Sequence, residues 1–108
     1  MDANRVKLLE KYRKEDPNDP FTLYALALEY FSQSPEQAKP LFLELLEKHP
    51  NYTATYYHAA DCFYQLDELE LARETYVKGI TILKEQNELK ALRELENAYQ
   101  NFLFETDD

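Results

Sequence analysis

An all-α fold of short antiparallel helices is what this sequence predicts, on three observations. Glycine occurs once in 108 residues, against an ordinary share of about 7%. The five prolines stand at 17, 20, 35, 40 and 50, so the chain is punctuated early and runs uninterrupted afterwards. A sparse pattern of large and small residues also recurs. Leu23, Leu26, Ala27 and Tyr30 return 33 positions on as Tyr56, Ala59, Ala60 and Phe63, and Ala38, Phe42 and Leu45 return 34 positions on as Ala72, Tyr76 and Gly79. No stretch alternates as a strand would.

Six helices follow in order. The first is read over 2–15 and stops before Pro17, because proline cannot sit inside a helix without losing a hydrogen bond. Asp19 as N-cap and Pro20 at the first helical position open a second over 20–32. Ser34 and Pro35 do the same for a third over 35–48, where Pro40 is a misfit: it predicts a late start or a kink. Pro50 separates the third from a fourth over 53–65. A fifth spans 69–84, and Asn87 is read as the N-cap of a sixth over 88–104. Tyr30 to Ala38 is eight residues and Phe63 to Ala72 is nine. The deletion falls in the turn FSQSPEQ, where it leaves the helices in register and tightens that hairpin.

The tetratricopeptide template is large-x2-Leu-Gly-x2-Tyr, then Ala-x3-Phe, then Pro, with a period of roughly 34. Here LYALALEY and YYHAADCF fill the first half, AKPLF and ARETY the second, and Pro50 closes the first repeat. The chain thus resembles the tetratricopeptide repeat (TPR) family from Val6 to Leu83. The resemblance implies one domain, a short right-handed solenoid of helix-turn-helix repeats: an N-terminal half-repeat (1–18), full repeats over 19–52 and 53–86, and a C-terminal capping helix (87–108). In the half-repeat, Leu9, Tyr12 and Pro17 stand 33 before Phe42, Leu45 and Pro50, with Arg5 in the place of the small Ala38.

The repeated residues have a packing logic. Neither helix of such a hairpin can bury its apolar stripe alone, and positions three and four apart share a face. Ala27, Ala60, Ala38 and Ala72 allow close approach. Tyr30, Phe42, Phe63 and Tyr76 fill the remaining space, and Gly79 belongs with the small class. After Leu83 the stripe Leu92, Leu95, Tyr99 and Phe102 has two readings. It caps the second repeat, or, broadened by Leu89 and Phe104, it pairs two copies of the chain. The final ETDD is expected to fray.

Composition excludes several classes. A formal net charge of −9 from 21 acidic and 12 basic residues, with no basic cluster, opposes binding to nucleic acid. No apolar run approaches the roughly 18 residues that span a bilayer, and the start MDANRVKLLEKYRKEDP lacks the apolar core of a secretory signal, so a cytoplasmic location is expected. One cysteine rules out an internal disulfide framework. His58, Asp61 and Cys62 share a helix face, yet three groups from one turn give incomplete metal coordination. No enzyme, metal or cofactor is expected, and one glycine cannot build a phosphate loop.

In the TPR family the first helix of each repeat lines the concave side, where peptides lie. The resemblance therefore implies an inward set of Phe21, Tyr24, Ala25, Leu28 and Phe31 in the first repeat. In the second it implies Ala54, Tyr57, His58, Asp61 and Tyr64, with Gln65 at the rim. The family's clamp for a terminal carboxylate uses Lys, Asn and Arg. Here its places hold Tyr24, Leu28, His58 and Asp61, and Asp61 would repel a carboxylate. What remains is an aromatic, mildly acidic groove suited to an apolar or basic segment of another protein. The rings either serve that partner or pack against neighbouring helices. A homodimer formed through the C-terminal helix or the groove is the alternative.

Overall fold

The computed structural model describes residues 2–106, which form six α-helices and no strand. They are α1 (Ala3–Glu15), α2 (Pro20–Phe31), α3 (Pro35–Lys48), α4 (Thr55–Gln65), α5 (Leu69–Glu85) and α6 (Leu89–Thr106). Two compact units divide the chain, Met1–Thr55 and Tyr56–Asp108.

Side chains set the starts of the helices in the first unit. The Asp2 carboxylate caps α1 by accepting from the backbone N–H groups of Asn4 at 3.0 Å and Arg5 at 3.2 Å. Asp19 caps α2, accepting from the Phe21 N–H at 3.0 Å and the Thr22 hydroxyl at 2.9 Å, and Pro20 needs no N–H partner there. Ser34 stands at the N-cap of α3 but makes no capping bond. Its hydroxyl donates instead to Glu36 at 2.7 Å, which is the leading reason the Glu36 carboxyl lies below its ordinary range. Pro40 does not delay α3, which is helical from Pro35. Pro40 and Glu36 are both exposed, so the carbonyl that loses its partner faces water while Leu41, Phe42 and Leu45 anchor the other side.

Within this unit α2 packs on α3 and α1 packs on α2. Leu26, Ala27, Ala38, Phe42 and Leu45 are wholly buried. In α1, Leu9 is buried as Phe42 is, whereas Tyr12 is exposed where Leu45 is enclosed. Arg5, in the place of the small alanine, reaches outward to pair with Glu29 at 2.8 Å.

In the second unit Tyr56, Ala59, Ala60, Phe63, Ala72, Tyr76 and Gly79 are buried. Every residue of the repeated pattern is therefore interior except Tyr30, which is half-buried and donates its hydroxyl to Glu10 at 3.5 Å. Gly79 is where α5 meets its neighbours. A Cβ there would stand 2.7 Å from the Tyr56 Cβ and 2.8 Å from the Leu95 Cδ2, inside the ordinary contact distance of about 3.5–4.0 Å.

The turns explain the deleted residue. At the end of α4, the Glu68 N–H donates to the Phe63 carbonyl at 2.9 Å and the Asp67 N–H to the Tyr64 carbonyl at 3.0 Å, with Asp67 at φ 60°. This is a Schellman closure with aspartate in the left-handed position that glycine usually takes. The end of α5 repeats it, with Glu88 to Leu83 at 3.0 Å, Asn87 to Lys84 at 3.1 Å and Asn87 at φ 57°. Asn87 thus ends α5 rather than capping α6. The α2–α3 turn lacks one residue, and it is this left-handed one. Gln33 and Ser34 both donate to the Tyr30 carbonyl instead, at 2.9 and 2.8 Å. At the chain end, α6 stays helical through Thr106, whose hydroxyl donates to the Phe102 carbonyl at 2.7 Å. Asp107 and Asp108, the rest of the tail expected to fray, lie outside the described residues.

Candidate functional site

The inward set divides between the two units. In the first, Tyr24 is half-buried, its ring 5.6 Å from that of Tyr52 and tilted by 60°. Burial, then the Tyr52 hydroxyl, pushes its phenol pKa up. Phe31 is half-buried with its ring edge-on to Phe42 at 5.9 Å. Leu28 is half-buried too, and Ala25 is 5% exposed, enclosed rather than open. Phe21, at 60% exposure, stands beside α1, lining a cleft with Leu8, Leu9, Tyr12 and Thr22.

In the second unit the structure brings three of the expected residues together. Tyr57, Asp61 and Tyr64 sit at spacings of four and three on α4, one face of that helix. They line an open cleft of about 190 Å³ with Tyr76 of α5 and Ala98, Asn101, Phe102 and Glu105 of α6. Tyr57 is 45% exposed, its ring 5.4 Å from His58. Tyr64 meets Phe102 edge-on at 5.2 Å. Behind them Tyr76 lies 5.4 Å from Tyr99 and 5.3 Å from Phe102, and the Arg73 guanidinium stands 5.7 Å from the centre of the Phe102 ring. Asp61 accepts from the exposed Gln65 amide at 3.2 Å, which holds its carboxylate at the cleft. Ala54 is exposed.

Electrostatics follow from that crowding. Burial first, then the charge of Asp61 and the neighbouring Tyr57, Tyr64 and Glu105, raise the Tyr76 pKa to about 12. Tyr64 is raised by burial and by Glu105, its hydrogen-bond partner. Burial lowers the His58 pKa, with Asp61 opposing. The cleft therefore presents neutral phenols and two carboxylates, a lining that attracts cations. His58, Asp61 and Cys62 build no metal site: Cys62 is wholly buried, and among the described residues no group of three His, Cys, Asp or Glu side chains could hold a metal. No described helix is long and apolar enough to cross a membrane.

Sequence reasoning took the walls from α2 and α4 and missed those from α5 and α6. A signal was present. Leu92, Leu95 and Tyr99 stand 36 after Tyr56, Ala59 and Phe63, the two extra positions accommodated by a fifth helix of 17 residues against 14 for α3.

The sequence matches no protein-family model, and no curated protein matches it. Solved structures do. A solution structure of a tetratricopeptide repeat domain protein from Salinibacter ruber is 41% identical, with a TM-score of 0.74 over 81% of this chain and 89% of that one. A crystal structure of a tetratricopeptide repeat domain protein from the same organism is 40% identical, with a TM-score of 0.73 over 78% of this chain and 96% of that one. With the repeated small and large residues buried as that architecture requires, the chain belongs to the tetratricopeptide repeat family.

Proposed function

We propose that this protein is a non-enzymatic adaptor that binds a peptide or helix of another protein through the α4–α6 face. Repeats of this family present extended surfaces for protein recognition. The observation that carries the reading is the cleft in which Tyr57, Asp61 and Tyr64 meet Phe102 and Glu105. Its volume suits one long side chain rather than a whole helix. Carboxylates beside aromatic faces favour a lysine or arginine end, by charge and by cation–π attraction. The preferred ligand is a basic residue next to an apolar anchor, the anchor resting on the exposed Tyr57 ring. Tyr24 and Phe31, turned onto rings of their own hairpin, serve stability in this reading.

Selection of displayed random peptides against the wild-type chain, followed by calorimetry, tests it. Enriched peptides are expected to share a basic residue beside an apolar one. Tyr57→Ala should weaken them by about 1–3 kcal/mol, as truncation of a hot spot does. Asp61→Lys should slow association and flatten its salt dependence. A selection without binders, or binders indifferent to both variants, defeats the proposal.

A further inference from the structure

Helix α1 has the sequence places of a hairpin's second helix, and among the described residues no first helix precedes it. Its inner side is occupied: Leu9 is buried, and Arg5 and Arg13 pair with Glu29 and Glu44 at 2.8 and 3.0 Å. Beside it an apolar flank stays open, with Leu8 48%, Tyr12 44% and Phe21 60% exposed around a cleft of about 500 Å³. At the other end of the chain, α6 has an open flank of its own. Leu89, Arg93, Glu96, Gln100 and Phe104 follow at steps of three and four and share one stripe, and its ends Leu89 and Phe104 are 60% and 87% exposed.

We propose that the α1–α2 cleft takes α6 of a second copy, laid antiparallel to α1, so that one helix from each copy completes a hairpin. Charge argues for this occupant. Helix α1 holds five of the 12 basic residues (Arg5, Lys7, Lys11, Arg13, Lys14) and two acids, in a chain of net charge −9. The sequence from Glu88 to Asp108 has six acids and two bases.

Charge also fixes the direction. Glu15 and Asp16 line the cleft at the C-terminal end of α1. An antiparallel α6 brings Arg93 to that end and Glu105 toward Arg5 and Lys7, whereas a parallel one opposes Glu105 to Glu15. Lengths agree: at about 1.5 Å per residue, Arg93 to Phe104 spans ~16 Å and Arg5 to Glu15 ~15 Å. Both helices are already folded, so little ordering entropy opposes the contact. Because it joins two different surfaces, the association is heterologous and propagates rather than closing at a dimer.

Sedimentation velocity on the full chain, from micromolar to millimolar, tests this independently of any peptide binding. The average mass should climb past the dimer with concentration and fall with added salt. Leu8→Glu and Phe104→Arg should each weaken self-association at least about tenfold, the effect of ~1.4 kcal/mol. An equimolar mixture of the two variants should form a heterodimer and stop there, since each keeps one intact end. Glu15→Arg should weaken the contact and Arg93→Glu in the same chain restore it. Circular dichroism checks the fold, and Tyr12→Ser replaces Leu8→Glu if the latter loses helix. A wild-type chain monomeric at millimolar concentration, a mass that stops at two, or variants that fail to pair overturns the proposal.

Discussion

Replacing Gly79 by alanine sets two effects against each other. Alanine in a helix interior gains about 1 kcal/mol over glycine, so on helix propensity alone Gly79→Ala stabilises. The new Cβ, however, lies 2.7 Å from the Tyr56 Cβ, 2.8 Å from the Tyr56 Cγ and 2.8 Å from the Leu95 Cδ2. Leu95 has rotamers to try, but it is 1% exposed and has little room. Tyr56 Cβ moves only with its backbone, and that residue is wholly buried. Overpacking of this kind costs typically 1–3 kcal/mol, and contact with two enclosed residues places this site at the upper end. The expected net effect is a loss of about 1–2 kcal/mol. Urea unfolding followed by far-ultraviolet circular dichroism measures it, and a drop of roughly 4–8 °C in Tm per kcal/mol should accompany it. A double-mutant cycle with Leu95→Ala locates the cause, since neighbours in contact couple: the alanine should cost less where Leu95 has been cut back. A Gly79→Ala variant more stable than wild type refutes the close-approach account.

Other consequences can be checked alongside. Ala27→Leu and Ala60→Leu, at positions with no exposure, should each destabilise by about 1–3 kcal/mol, while the exposed Ala54→Leu should fall within about 0.5 kcal/mol of wild type; equal losses by urea unfolding would mean the buried and open faces are misassigned. The Tyr76 phenol titrates near 12 when folded and near 10 when unfolded, so its contribution is whole below pH 10 and is lost as pH rises through 12. Between pH 9 and pH 11 the wild type should lose about 1 kcal/mol more stability than Tyr76→Phe, and parallel pH profiles would contradict the burial of that hydroxyl. At the left-handed Asn87, glycine should add a few tenths of a kcal/mol and valine should cost about 1–2 kcal/mol; a harmless valine, judged by thermal unfolding, removes the Schellman assignment.

Helix positions were legible because proline and the repeated pattern act locally, through a missing N–H and through volumes that must match at fixed offsets. Asn87 misled because asparagine serves equally as an N-cap and as a left-handed C-terminal residue. The sequence Asn87-Glu88-Leu89 echoes Asp67-Glu68-Leu69, and only the pair of turns seen together separates the roles. Pro40 misled for the opposite reason. Its cost depends on whether the freed carbonyl can reach water, a tertiary fact. For the site, Tyr57, Asp61 and Tyr64 could be placed by counting along α4. Phe102 and Glu105 could not, because the longer α5 shifts the pattern of α6, and Glu96 stands where a close-packing helix has Ala60.

The rings around Phe102 have a spectroscopic consequence. The chain has nine tyrosines and no tryptophan, and Tyr64, Tyr76 and Tyr99 all stand within 6.2 Å of the Phe102 ring. Fixed rings in an asymmetric setting generate near-ultraviolet circular dichroism, which disappears when side-chain packing loosens even where helices persist. The protein thus carries an unlabelled optical reporter of the α4–α6 face. A cation entering the cleft should change that tyrosine band while the far-ultraviolet helix signal stays still.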